Sequence, residues 1–208
     1  MKQLLLDIQP APAPSLENFV PGRNAEALYS LLQAAKGEAD VRFIYLWGMP
    51  GSGKSHLLNA CASLAQQHGT ELVTADDVQS LAEEVQITLF NTYNRLRESG
   101  GVLIAAGDAS PTQMQLRDDL ATRLAWGLVY QLHPLSDDER AQALRAHALE
   151  RGMKLPDEVV EYCLRHLKRD LPTLMAVLNA LDEWSLTSKR AVTLPLLRQL
   201  IQMPLEID

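Results

Sequence analysis

Basic charge is in short supply in this sequence. Its 208 residues carry 19 Lys and Arg against 26 Asp and Glu, a formal net charge of −7. No long run of Lys and Arg breaks the balance, so no global positive field draws the chain to a nucleic-acid backbone. Any nucleic-acid contact would need a local basic patch. Cysteine is scarce too. Cys61 and Cys163 lie far apart, each among apolar residues in helix-like surroundings. That pattern predicts two buried reduced thiols and argues against a disulfide framework. The five histidines show no metal-ligand spacing. No apolar run nears the roughly 18 residues of a membrane span. The apolar stretch in MKQLLLDIQ is too short for a secretory signal. The expected compartment is the cytoplasm, with no membrane partner.

Apolar residues make up 47% of the chain, ample for a core. The length suits one compact domain, or a core with a small satellite. Residues 9–14, QPAPAP, read as an extended Pro/Ala tether with a short apolar tag before it. Helices are predicted over 25–36, 55–67, 78–98 and 112–124, and strands over 42–47, 70–75, 102–106 and 128–132. After residue 134 the alternation ends, and three helical segments are expected. Ser136 and Glu139 form a capping box at the first, Pro156 opens the second, and Asp170 caps the third with Pro172 in its first turn. The predicted fold class is α/β: a core with a parallel sheet over 15–134, and a C-terminal α-helical lid over 135–208.

The sequence WGMPGSGKSH contains Gly48-x-x-x-x-Gly53-Lys54-Ser55, a full Walker A pattern. A predicted strand precedes it and a predicted helix follows. Gly51 and Gly53 allow backbone N–H groups to turn toward phosphate oxygens, and Lys54 offers its ammonium to the outer phosphates. Ser55 supplies a hydroxyl for Mg²⁺. The helix start adds a positive end. Ser52 and His56 belong to the same nucleotide-contacting stretch.

A P-loop followed by a helical lid suggests the AAA+ class, whose further parts have candidates in the right order. Asp76 and Asp77 end TELVTA, where a Walker B acid holds Mg²⁺ through water. Asp108 follows VLIAAG as a polar sensor. Arg123, in ATRLAWGL, stands where an arginine finger for a neighbouring molecule would lie. Arg169, in LKRDLPTL, stands where a lid arginine would meet the nucleotide. Each one alone reads equally well as a surface residue.

The segments NRLRESGGVLIAAGDASP, LRDDLATRLAWGLVYQLHPLSDDER and RDLPTLMAVLNALDEWSLTSKRAVTLPLLRQLI resemble the Hda family of DnaA-related regulators of bacterial replication initiation. DnaA itself carries a C-terminal helix-turn-helix domain, for which little chain is left after the lid. The segment QLLLDI resembles the motif by which Hda proteins dock on the replication sliding clamp. By that resemblance Gln3 bonds a pocket rim, Leu4, Leu6 and Ile8 fill apolar subsites, and residues 1–14 form tag and tether. A frayed terminus, or a strand packing on the body, is the plainer alternative. Phe19-Val20-Pro21-Gly22 resembles the stretch that lies against adenine, giving Phe19, Pro21 and Gly22 as nucleotide contacts. The resemblance implies bound adenine nucleotide, ADP above ATP, with Mg²⁺. It implies DnaA and the clamp as partners, DNA reached only through the clamp, and leaves room for a homo-oligomer. Arg123 would act in trans on ATP-bound DnaA.

One part does not fit. Only 20 residues separate Ser55 from Asp76, too few for the strand–helix unit that an AAA+ core places there. In the usual strand order, 5-1-4-3-2, the missing strand is the edge, so a four-stranded sheet is expected. Alternatively, TELVTA stands in the second-strand place and Asp76-Asp77 is no metal site. Many AAA+ motors carry a water-orienting Glu directly after the Walker B Asp. Here Asp77 holds that place, one methylene shorter, so weak intrinsic hydrolysis is expected. An ATP-driven helicase loader of the DnaC type, and a P-loop interaction module without activating role, are the competing readings.

Overall fold

The computed structural model describes residues 13–168 and 170–202. The described chain forms two compact units that divide between Pro134 and Leu135. In the first, α1 (Ala25–Lys36), β1 (Phe43–Trp47), α2 (Lys54–His68), β2 (Leu72–Ala75), α3 (Glu83–Ser99), β3 (Val102–Gly107), α4 (Asp118–Ala125) and β4 (Leu128–Gln131) follow in order. The strands form one parallel sheet, β2-β3-β1-β4.

Side-chain alternation along the strands divides the core into two layers. Ile44 and Leu46 of β1, with Val102, Ile104 and Ala106 of β3, pack with α1 and α2 through Leu31, Leu57, Leu58 and Cys61. Tyr45, Leu103 and Ala105 point the other way, onto Leu89, Tyr93 and Leu96 of α3 and Leu120 and Leu124 of α4. β3 is buried at every residue, as a central parallel strand must be. β2 is an edge and only half-buried. Glu71, just before it, is bonded by Ser99 Oγ at 2.7 Å and paired with Arg95, so a charge guards that edge.

β2 lies directly beside β3, with Leu72 opposite Val102 and Ala75 opposite Ala105. In the five-strand order this is the third place. The absent unit is therefore the second strand with its helix, and TELVTA does not take the second-strand place.

Two predicted helices are shorter than the apolar pattern suggested. In place of a continuous 78–98 helix, a 3₁₀ turn over Val78–Ser80 is followed by extended backbone at Leu81 and Ala82 before α3 begins. Asp77 sits in the left-handed region (φ 47°), which no helix continues through. Residues 112–124 likewise split, into a 3₁₀ turn at Pro111–Gln113 and α4. Met114 and Arg117 are extended between them, and Arg117 N donates to Gln86 Oε1 at 2.9 Å.

Among the described residues the second unit holds four helices rather than three: α5 (Asp137–Glu150), α6 (Asp157–His166), α7 (Leu171–Ser188) and α8 (Leu194–Gln202). Leu196, Leu197 and Leu200 place α8 in the unit's own core with Leu144, Val160, Leu174 and Leu181. The capping box is present: Ser136 Oγ accepts from Glu139 N at 3.2 Å, and Ser136 N donates to Glu139 Oε2 at 2.7 Å. Asp170 Oδ1 accepts from Thr173 N at 2.8 Å and caps α7. Cys61 and Cys163 are free and buried. No described helix is long and apolar enough to cross a membrane.

Candidate nucleotide-binding site

The loop between β1 and α2 sits at the C-terminal end of the sheet, where a parallel fold gathers its ligands. Its glycines are structural requirements. A Cβ on Gly48 would lie 2.4 Å from the carbonyl oxygen of Leu132, and one on Gly53 would lie 2.7 Å from Phe19 Cε2. Gly53 also has φ +94°, and no side chain caps the 15-residue helix that starts at Lys54. The first N–H groups of α2 therefore lack an internal partner.

Lys54 is 7% exposed. Its Nζ donates to Gly48 O at 2.6 Å and lies 3.6 Å from Asp108 Oδ1. Ser52 is buried, and its Oγ has no hydrogen-bond partner among the described residues. A buried ammonium, an orphaned buried hydroxyl and an uncapped helix start together fit a phosphate group, which accepts from all three. Ser55 is exposed on the first turn of the same helix, and Gly51 is exposed in the loop.

Across the strand ends, Gln79 ties the acidic candidates together. Gln79 Nε2 donates to Asp108 Oδ2 at 3.1 Å and to Asp77 Oδ1 at 3.3 Å, and Gln79 Oε1 accepts from Asp108 N at 3.2 Å. Asp76 Oδ1 accepts from Asp77 N at 2.9 Å. Lys54, Asp108, Gln79 and Asp77 thus form one connected polar chain. Behind it, Tyr45 Oη donates to Ala109 O at 3.1 Å. Burial, and then the Asp108 carboxylate, push the Tyr45 phenol well above its ordinary range. Among the described residues no cluster of three or more acidic, His or Cys side chains comes together as a metal site.

Phe19 and His56 stack with ring centroids 5.7 Å apart, and His56 Nε2 is 3.0 Å from Ser15 O. The lead-in segment is thereby attached to α2, with Phe19 against Gly53. Pro21 and Gly22 open a 3₁₀ turn that delivers Asn24. Asn24 is buried and bridges to β4's exit, donating to His133 O and accepting from His133 N, each at 2.8 Å.

The two arginines near α4 differ. Arg117 is engaged: Nε and Nη2 donate to Asp119 at 3.2 and 3.0 Å, and Nη1 to Glu83 at 3.3 Å. Those bonds hold the Asp119 carboxyl below the usual carboxylate range. The Arg123 guanidinium has no hydrogen bond or ion pair among the described residues. It lies over Trp126, 4.5 Å from the ring centroid, with Tyr93 and Phe90 at 5.8 and 5.9 Å. Gln3, Leu4, Leu6, Ile8 and Arg169 lie outside the described residues. Gln79 and Trp126 were absent from the sequence-based site. The only signal for Gln79 was its place three residues after Asp76.

Two family models match different parts of the chain. That for the lid domain of Hda matches residues 137–201, and that for the bacterial DnaA ATPase domain matches residues 68–131. Together the two matches support an Hda-like, DnaA-related AAA+ protein. Among solved structures, the Hda-like chain is similar to domain III of the Thermotoga maritima replication initiation protein DnaA. The identity is 24% and the TM-score 0.72, covering 94% of this chain and 98% of that one. It is similar also to AMPPCP-bound DnaA from Aquifex aeolicus, at 22% identity and TM-score 0.67, over 87% of this chain and 71% of that one. Thermotoga maritima RuvB matches at 18% identity and TM-score 0.63, over 94% and 73%. At these identities the three structures speak for the fold of the Hda-like chain.

Proposed function

We propose that this protein is a nucleotide-bound regulator that inactivates the replication initiator DnaA by stimulating its ATP hydrolysis in trans. The matches to the Hda lid domain and the DnaA ATPase domain support a DnaA-associated regulatory role. The observation that carries the finer reading is Arg123. Its guanidinium is charged, half-buried and free of any carboxylate among the described residues, unlike Arg117. A finger must offer N–H donors to the developing charge on a transferring phosphoryl group. In well-studied systems that contribution is worth roughly 10³–10⁵ in rate.

On this reading residues 15–134 form the nucleotide-binding core and residues 135–208 its lid. Lys54, Ser52, Gly51, Gly53 and the first N–H groups of α2 hold the phosphates of an adenine nucleotide, ADP in the resting form. AMPPCP in the related Aquifex DnaA supports an adenine base. Ser55, with Asp76 through water, supports Mg²⁺. Phe19, Pro21 and Gly22 line the approach, and Arg169 is the further nucleotide residue that the family resemblance assigns. Asp77 is bonded by Gln79, which leaves it poorly placed to orient an attacking water and favours a protein that holds its own nucleotide. Gln3, Leu4, Leu6 and Ile8 dock on the sliding clamp, and the tether over 9–14 lets the body reach DnaA. Clamp docking raises the local concentration of the pair.

The test is ATP turnover by DnaA in the presence of clamp-loaded DNA. Arg123→Ala is expected to abolish stimulation at any concentration. Deletion of residues 1–8 is expected to raise the concentration needed. Stimulation by both variants at the parental level and parental concentration defeats the reading.

A further inference from the structure

Trp126 is 65% exposed, an unusual place for a large aromatic side chain. It stands three residues after Arg123, at the C-cap of α4, where positions i and i+3 share a helix face. Trp126 N donates to Arg123 O at 3.2 Å, which fixes the backbone between them. The next residue, Gly127, passes so close to β1 that a Cβ there would meet Phe43 O at 2.0 Å. The chain therefore turns tightly into β4, and the indole is held at the surface by a rigid backbone.

We infer that Trp126 is the positioning residue for Arg123, holding the guanidinium by its flat face so that its edge stays available to the polyphosphate of a nucleotide bound to another molecule. The inference rests on the trans-arginine reading above. A carboxylate partner would take two of the five in-plane N–H donors and neutralise the charge. An aromatic ring attracts the cation through its face and consumes no donor. Arg95 on α3 and Arg117 at the start of α4 are held by carboxylates. Arg123 instead has Trp126 below it, with Tyr93 and Phe90 at the periphery. The stack restricts the side chain's rotamers before any partner arrives, so less entropy is lost on engagement.

The experiment uses the full chain and ATP-loaded DnaA with clamp-loaded DNA, and reads the stimulated hydrolysis rate as a function of this protein's concentration. Trp126→Leu keeps apolar bulk and removes the ring quadrupole. Its maximal rate is expected to fall roughly two- to fivefold, with little change in half-saturating concentration. Trp126→Phe is expected to keep most of the rate. Both variants should melt with the parent, since the side chain is mostly exposed. A parental maximal rate for Trp126→Leu, alongside an inactive Arg123→Ala, overturns the positioning role and leaves the trans-arginine reading standing. An equal rise in half-saturating concentration for both Trp126 variants, at unchanged maximal rate, also overturns it, because Trp126 would then be a contact surface. If Arg123→Ala itself stimulates like the parent, the trans-arginine reading fails and takes this inference with it.

Discussion

Gln79 holds Asp108 from both ends, its amide N–H donating to the carboxylate and its carbonyl accepting from the Asp108 backbone N–H. The same amide reaches Asp77, and Asp108 in turn faces the Lys54 ammonium at 3.6 Å. A neutral side chain therefore sets the position of the acid closest to the P-loop lysine.

Gln79→Leu removes these bonds without adding charge. Hydrogen bonds to charged groups are worth about 1.5–3 kcal/mol, and partial solvent exposure reduces that. Affinity for magnesium and adenine nucleotide, measured by calorimetry, is expected to fall roughly three- to tenfold. Lys54→Ala in the same titration should lose more. Unchanged affinity in Gln79→Leu would mean that Asp108 keeps its place unaided.

Gly53→Ala meets two obstacles, a left-handed backbone angle and the Phe19 ring. Urea unfolding is expected to show a loss of about 2–3 kcal/mol. Removing the ring as well, in Phe19→Ala with Gly53→Ala, relieves the collision. The double variant should then lose less than the sum of the two singles, by about 0.5–1 kcal/mol. Strict additivity would show that the ring swings aside at no cost.

Asp170→Ala should destabilise the helical unit by about 1 kcal/mol through loss of the α7 cap. Burial opposes ionisation of Asp170, but the bonds from Thr173 prevail and hold its carboxyl below the ordinary range. A depressed folded-state value stabilises above the unfolded value, near 3.9, and that stability is lost as pH falls through the folded value. The difference between parent and variant in thermal unfolding should thus be full at pH 7 and shrink below about pH 4. A gap that persists at pH 2 would assign the loss to packing.

Burial pushes the Cys61 thiol up to about 12 and the Cys163 thiol up to about 11. An unfolded chain releases these protons near pH 8.5 and the folded chain does not, so stability declines as pH rises above that point. Cys61→Ala should therefore lose less stability than the parent between pH 8 and pH 10, by about 1–2 kcal/mol in urea titrations. Parallel decline in both proteins would exclude Cys61 as a source.

The parts of this fold that were legible in the sequence depend on neighbours along the chain. The Walker A loop, the Ser136–Glu139 box and the Asp170 cap each close within a few residues, so residue type and spacing suffice. The loss of a strand–helix unit could be counted from the 20 residues between Ser55 and Asp76. The breaks at Asp77–Ala82 and Met114–Arg117 were not legible. The apolar pattern runs straight through them, and both are held by partners remote in sequence, Asp108 for Gln79 and Gln86 for Arg117.

Local chemistry in the sequence alone settled the α/β class, the glycine-rich loop between β1 and α2 and the helix caps, because each is decided by contacts within one turn or one strand's alternation. Only the tertiary structure decided that β2 pairs with β3, that Gln79 bridges Asp77 and Asp108, and which of two arginines is unpaired among the described residues. Arg117 and Arg123 are the same residue type beside the same helix. What separates them is that α3 brings Glu83 to one and two aromatic rings to the other, a difference made by packing rather than by spacing.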